Sequence, residues 1–187
     1  MAAGTRDALV EAAEQLMRTR GYAAFSYADL AETVGIRKAS IHHHFPTKEE
    51  LGIAIVEAYI ARVVAEFERI ERQNADLWGR LDGFFATFRA SSDGSLLPLC
   101  GALAAEMAAL PLGLQRLTHR FFDLQLRWLT TVIDHGIADG EIPAGAGARQ
   151  KAYQVLSVLE GASFVGWAMK DGETLDCNIV RLIVAAA

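Results

Sequence analysis

Three consecutive histidines, His42, His43 and His44, follow Arg37, Lys38, Ala39 and Ser40 and precede Thr47 and Lys48. All lie in the stretch SYADLAETVGIRKASIHHHFPTK, Ser26 to Lys48. Side chains of these types supply hydrogen-bond donors and positive charge, the chemistry that grips phosphate oxygens and reads base edges. Arg37 and Lys38 stand where a short helix would begin, and Ala39 and Ser40 are small enough to let its backbone approach a groove floor. Thr47 and Lys48 join a cation to the free amides at the start of the next helix, a natural phosphate site. A metal reading of the histidines fails on geometry: neighbouring helical side chains point about 100° apart, and ligand pairs need i,i+4 spacing. No metal, cofactor or catalytic residue is expected.

Such residues need elements to position them, and the flanking pattern predicts two helices around a tight turn. A first helix starts after Thr5 as N-cap, repeats Leu9, Ala12, Ala13, Leu16 and Met17, and stops at Gly21. Ser26 with Asp29 forms a capping pattern for a helix of about two turns through Ala28, Leu30, Ala31 and Val34. Gly35 permits the left-handed backbone of a sharp turn, and Ile36 plugs the angle between the helices. The next helix runs from about Lys38 to Phe45, with Ile41 and Phe45 on its buried side, and Pro46 ends it. Thr47 and Glu50 then launch a long helix toward Ile70.

Beyond Asp76 the apolar residues keep helical periodicity around 77–88, 99–110, 114–138, 149–169 and 175 to the end. Breaks fall at 91–95, 111–113, 140–147 and 171–172, where Gly, Pro, Ser and Asp gather. The expected fold class is all-α.

Length and composition fit this: 187 residues with 52% hydrophobic content can bury a core. No secretory signal pattern opens the chain, and Glu106 and Glu160 interrupt the apolar runs that imitate membrane spans, so a soluble, cytoplasmic protein with no membrane partner is expected. Cys100 and Cys177 lack CxxC spacing and read as buried free thiols; a redox-sensing role for Cys100 stays open. The net charge of −5 disfavours general adhesion to nucleic acid, but it is uneven. Residues 1–48 carry six Lys/Arg against five acids, and the remainder twelve against eighteen. Phosphate contact is thereby confined to one face of the head.

Gly21-Tyr22, Ser26, Leu30-Ala31, Gly35-Ile36, Lys38, Ile41, His44-Phe45 and Thr47-Lys48-Glu49-Glu50-Leu51 together resemble the N-terminal domain of the tetracycline-repressor (TetR) family. The resemblance covers residues 5 to about 60. It implies an N-terminal three-helix helix-turn-helix DNA-binding domain at 1–47 and a helical ligand-binding and dimerisation domain at 48–187. The partners implied are a double-stranded DNA operator, a small-molecule effector and a second copy of the chain as homodimer. DNA contacts then fall to Ser26, Tyr27, Arg37, Lys38, Ala39, Ser40, His42, His43, His44, Thr47 and Lys48. In this family the position of His42 is usually Tyr, whose hydroxyl contacts a backbone phosphate; His42 would make that contact pH-dependent.

In the second domain, Phe84, Phe88, Leu103, Met107, Phe122, Trp128 and Trp167 are candidates to line an apolar effector pocket, although aromatic residues at helical spacing form ordinary core far more often than ligand contacts. Glu106 interrupts LCGALAAEMAAL and either projects a carboxylate into a cavity or lies on a solvated helix face; Gln125 is a candidate of the same kind. The last two helices carry Gly161, Ala162 and Gly166, small residues that permit close helix approach in a dimer or merely complete the monomer core. An all-helical enzyme using Glu106, His119 or Cys100, or a protein-interaction module, remain the alternatives to a regulator.

Overall fold

The computed structural model describes residues 4–91, 96–170 and 173–186; of the expected breaks, 92–95 and 171–172 lie outside them. Among the described residues nine α-helices follow one another: α1 Thr5–Arg20, α2 Tyr27–Val34, α3 Lys38–His44, α4 Lys48–Gln73, α5 Leu77–Ser91, α6 Leu99–Ala105, α7 Leu112–Ala138, α8 Ala148–Met169 and α9 Asn178–Ala185. A 3₁₀ turn, Met107–Ala109, joins α6 to α7. No strand occurs among the described residues, and none of their helices is long and apolar enough to cross a membrane.

Two compact units divide the chain differently from the expected 1–47 and 48–187. The first comprises residues up to Ala61 together with Leu99–Arg120, and the second Arg62–Pro98 with Phe121–Ala187. Segment 99–120 thus belongs with the head, because α6 packs against α1 there. Leu9, Ala13, Met17, Leu30, Ile41, Leu51, Ile55 and Leu103 are wholly or nearly wholly buried in the first unit. In the second unit a single core gathers Phe67, Ile70, Leu81, Phe84 and Phe88 with Leu129, Ile133, Val155, Leu159 and Val184.

The helix ends follow local chemistry. Gly4, rather than Thr5, is the N-cap of α1, and no side chain caps it. α6 stops at Ala105, short of the expected 110, where the chain tightens into the 3₁₀ turn; α9 begins at Asn178 rather than near Leu175. At the other end of α9, Lys151 of α8 is almost fully buried and donates through Nζ to the carbonyls of Val184, at 2.6 Å, and Ala186. A cation on the last carbonyls of a helix satisfies acceptors that have no intrahelical partner.

Gly35 ends α2 in the left-handed conformation, φ 74° and ψ 32°, and its amide donates to Ala31 O. A Cβ placed there would meet nothing within 4 Å, so only the backbone conformation opposes a side chain. Gly35→Ala should therefore cost about 1 kcal/mol, the left-handed penalty alone, and lower the thermal midpoint by about 2–4 °C for a chain of this size; calorimetry measures it.

Candidate nucleic-acid interface

α2 is set by a reciprocal cap. The Ser26 hydroxyl oxygen accepts from the amides of Ala28 (3.2 Å) and Asp29 (3.4 Å), while the Asp29 carboxylate accepts from the Ser26 amide at 2.7 Å. Hydrogen bonds from Ser26, joined by the Arg20 guanidinium at 3.2 Å, hold the Asp29 carboxyl below its ordinary range. Ser26 is exposed, but its hydroxyl is occupied in capping.

α3 then presents two faces. Ile41 is fully buried and Phe45, its C-cap, is 3% exposed, whereas Arg37, Lys38, Ala39, Ser40, His42 and His43 are exposed and His44 is half-buried. The expected groove-facing residues are thus gathered on one helix of seven residues, behind which the apolar pair is anchored. Thr47 is exposed, and its hydroxyl accepts from the Glu50 amide at 3.1 Å as the cap of α4. The His42 ring meets Tyr27 edge-on at 4.9 Å, and its Nδ1 lies 3.3 Å from Pro46 O. With Nδ1–H donating to that carbonyl, a neutral imidazole has only an acceptor left at Nε2. A phosphate contact through Nε2 therefore requires the imidazolium.

Two residues expected to touch DNA turn inward instead. Tyr27 is 7% exposed, and its hydroxyl donates to the carbonyls of both Phe45 (2.9 Å) and Thr47 (2.7 Å), tying the first residue of α2 to the turn after α3. Burial, with the Glu50 carboxylate and Tyr22 adding to it, pushes this hydroxyl up to about 12. Lys48 is half-buried; its Nζ donates to Phe25 O and lies 3.5 Å from Ala23 O, above the rings of Phe25 and Tyr22 at 4.4 and 4.7 Å. Burial lowers the ammonium from its usual value, against the opposing pull of Glu106 and Asp29. The carbonyls of the α1–α2 loop have no helical donors, and Lys48 supplies them.

Glu106 completes this grip. Its carboxylate neither enters a cavity nor lies free on a helix face, as the sequence suggested; it accepts from the Ala23 amide at 2.8 Å. Gly21, at φ 88°, allows the approach, since a Cβ there would come within 2.0 Å of Glu106 Oε1. The loop between α1 and α2 is thus held by Lys48 on its carbonyls and Glu106 on an amide. Neither role was legible in spacing, because the partners are backbone groups 25 and 83 positions away.

Leu103 and Met107 also belong to the first unit, whereas the other expected effector residues belong to the second. There Trp128 stacks on Phe67 at 4.5 Å and on Phe84 at 5.6 Å, and Phe84 meets Phe88 at 6.4 Å. The Trp128 indole N–H donates to Glu71 at 2.7 Å. These rings fill one another's surroundings as core, and Phe67, not singled out from sequence, is central to them. Gln125 is 3% exposed, while Phe122 and Trp167 are half-buried. An open groove in the same unit is lined by Asp82, Phe85, Arg89, Cys177, Asn178 and Arg181, none of them an expected effector contact. Cys177 is exposed there, correcting the expectation of a buried thiol; Cys100 is buried.

Known proteins resemble the chain in the same places. The family described as bacterial regulatory proteins, tetR family, matches residues 9–55, which hold α2, the turn and α3. The HTH-type transcriptional regulator CymR of Pseudomonas putida is 30% identical over 139 residues, 72% of this chain and 68% of that protein. Among solved structures, a TetR-family transcriptional regulator from Agrobacterium tumefaciens superposes with TM-score 0.84 and 30% identity, covering 96% of this chain and 93% of the other. A TetR transcriptional regulator from Legionella pneumophila gives TM-score 0.83 at 26% identity, over 98% and 96% of the two chains.

Two substitutions test the scaffold behind the exposed helix. Tyr27→Phe leaves two turn carbonyls without their donor and should destabilise the chain by about 1–3 kcal/mol in chemical denaturation. Glu106→Ala should speed hydrogen exchange at the Ala23 amide about tenfold, with amides in the middle of α4 unaffected.

Proposed function

The chain belongs to the TetR family of bacterial regulatory proteins, and from that membership we propose that it is a repressor released from a palindromic operator when a small molecule enters its second unit. It is a DNA-binding transcriptional regulator, and no chemical step is assigned to it. The observation that carries the DNA-binding reading is α3 itself: Arg37, Lys38, Ala39, Ser40 and His43 stand exposed together while Ile41 and Phe45 anchor the helix from behind. Such a helix enters the major groove by its N-terminal residues. Lys38 and Ser40 are assigned to base edges, Arg37 and Thr47 to phosphate, and His42 to a phosphate contact that its charged form makes.

Two copies are needed for a palindrome, with recognition helices about one DNA turn, ~34 Å, apart. Exposed large apolar residues support a homodimer through the last two helices: Tyr153 (58% exposed), Val165 (63%) and Met169 (63%) on α8, and Leu182 (69%) on α9. Sedimentation at micromolar concentration should give twice the chain mass. The proposed effector is small and apolar or aromatic; Phe122, packed against the core of the second unit, and the half-buried Trp167 are assigned to it. The site of action is the cytoplasm, where an operator is reached.

Selection of bound DNA from a random library should return an inverted repeat; recovery of no preferred sequence, or binding independent of salt, would overturn the reading. Lys38→Ala or Ser40→Ala should change base preference at single positions of each half-site. Lys48→Ala should weaken all sites equally while leaving the slope of log affinity against log salt unchanged, because the loop clamp is lost; a lost phosphate contact would lower that slope by about one.

A further inference from the structure

Polar groups of the second unit find partners inside it. Glu66 accepts from Thr87 at 2.7 Å and from Arg69, Glu71 from the Trp128 indole, and Asp82 from Arg181 at 2.7 Å. Among the described residues Glu160, on α8, is different. Both of its carboxylate oxygens are buried, each with less than 1 Å² of accessible surface, and neither has a hydrogen-bond partner.

Its place on the helix is equally specific. Leu156, four residues earlier, and Ser163 and Trp167, three and seven later, share its stripe on α8. N-terminal to Glu160 the helix is closed into the core, with Ala152, Val155, Leu156 and Leu159 all at 5% exposure or less. C-terminal to it Ser163, Phe164 and Trp167 are only half-buried. The carboxylate therefore stands where the filled core gives way to a looser, aromatic stretch.

Among the described residues no cation pairs with it. Lys151 and Lys170 are nine and ten residues away on or beside the same helix, about 13–15 Å along its axis. Lys151 is spent on the carbonyls at the end of α9, and Lys170 lies over the Trp167 ring at 5.9 Å. Arg127 and Arg181 are paired with Asp123 and Asp82. A metal ion is no better a counter-charge, since the described residues contain no group of three His, Cys, Asp or Glu that could hold one. Burial alone pushes the Glu160 carboxyl up to about 7, consistent with a group kept from water and from opposite charge.

We propose that Glu160 is the polar anchor of the effector site and that the effector is an aromatic or apolar amine whose protonated nitrogen the carboxylate receives. This rests on the ligand-responsive reading above and narrows its chemistry. A buried carboxylate without a partner is costly. An ammonium supplies both the missing donors and the opposite charge; a neutral alcohol supplies a donor only, and an anion is repelled. The half-buried Phe164 and Trp167, four and seven residues on along the same helix, are assigned to the aromatic frame of the ligand.

Phenethylamine, phenethyl alcohol and phenylacetate share one aromatic frame and differ in the polar end, so they test the assignment on the full chain. Operator binding is measured first without ligand; its failure would sink the regulator reading and leave the thermal comparison to judge Glu160. The amine should raise the thermal midpoint and release the operator at a concentration about tenfold below that of the alcohol, with phenylacetate inert. Glu160→Gln should keep operator binding and bring the amine and alcohol within about twofold of each other. Equal response of the parent to amine and alcohol, a preference that survives in Glu160→Gln, or no response to any of the three would overturn the proposal. Should the Gln variant misfold, the parent's amine-to-alcohol ratio decides alone.

Discussion

The hydroxyl of Tyr27, bonded to the carbonyls of Phe45 and Thr47, holds the piece of structure on which DNA recognition depends. α3 has seven residues, far fewer than a helix needs to persist by itself in water. Its orientation must come from behind and from its ends. Ile41 and Phe45 fasten the buried side, Gly35 sets the angle of entry, and Tyr27 fixes the exit by giving two turn carbonyls a shared donor. With the inner face and both ends restrained, the outer residues are free to carry chemistry without also carrying the fold.

The same division of labour explains why charged residues near the recognition helix point away from it. A loop such as that between α1 and α2 exposes amides and carbonyls with no helical partners. Lys48 supplies donors to Phe25 and Ala23, and Glu106 supplies an acceptor to Ala23. A cation and an anion from distant parts of the sequence thereby hold one short loop, and each is drawn toward the other's field as well. Glu106 arrives on the segment that follows α6, within the stretch 99–120 that folds with the head although it lies far along the chain.

In the second unit, aromatic residues build a core by packing on one another. Trp128 stacks on Phe67 and on Phe84, which also meet each other, while its one donor is spent on Glu71, so its polar atom is satisfied at the margin of an apolar cluster. Burial of this kind leaves little for a ligand to add. Glu160 stands apart because it brings charge into the same interior without any such settlement. The stability given up to keep an unpaired carboxylate there makes sense if a ligand completes it.

Local chemistry was enough to locate the helices around the turn: Ser26 with Asp29 caps α2, Gly35 takes the left-handed conformation, and Pro46 follows α3, all effects of neighbours within one turn. Which side of α3 would be buried followed from the four-residue spacing of Ile41 and Phe45, and the spaced motif around them identified the family. The destinations of long polar side chains were a different matter. Sequence alone offered Tyr27 and Lys48 to DNA and Glu106 to a ligand, because their groups suit those partners. Their partners are backbone atoms brought close only by the packing of α1, α2, α4 and the segment after α6. Glu160 looked like a break in an apolar run, since nothing in its neighbours tells whether a carboxylate faces water or core. A helix repeat assigns a face from the residues it contains, but whether that face meets solvent, backbone or a closed interior depends on elements distant in sequence. That is what the tertiary structure alone decided.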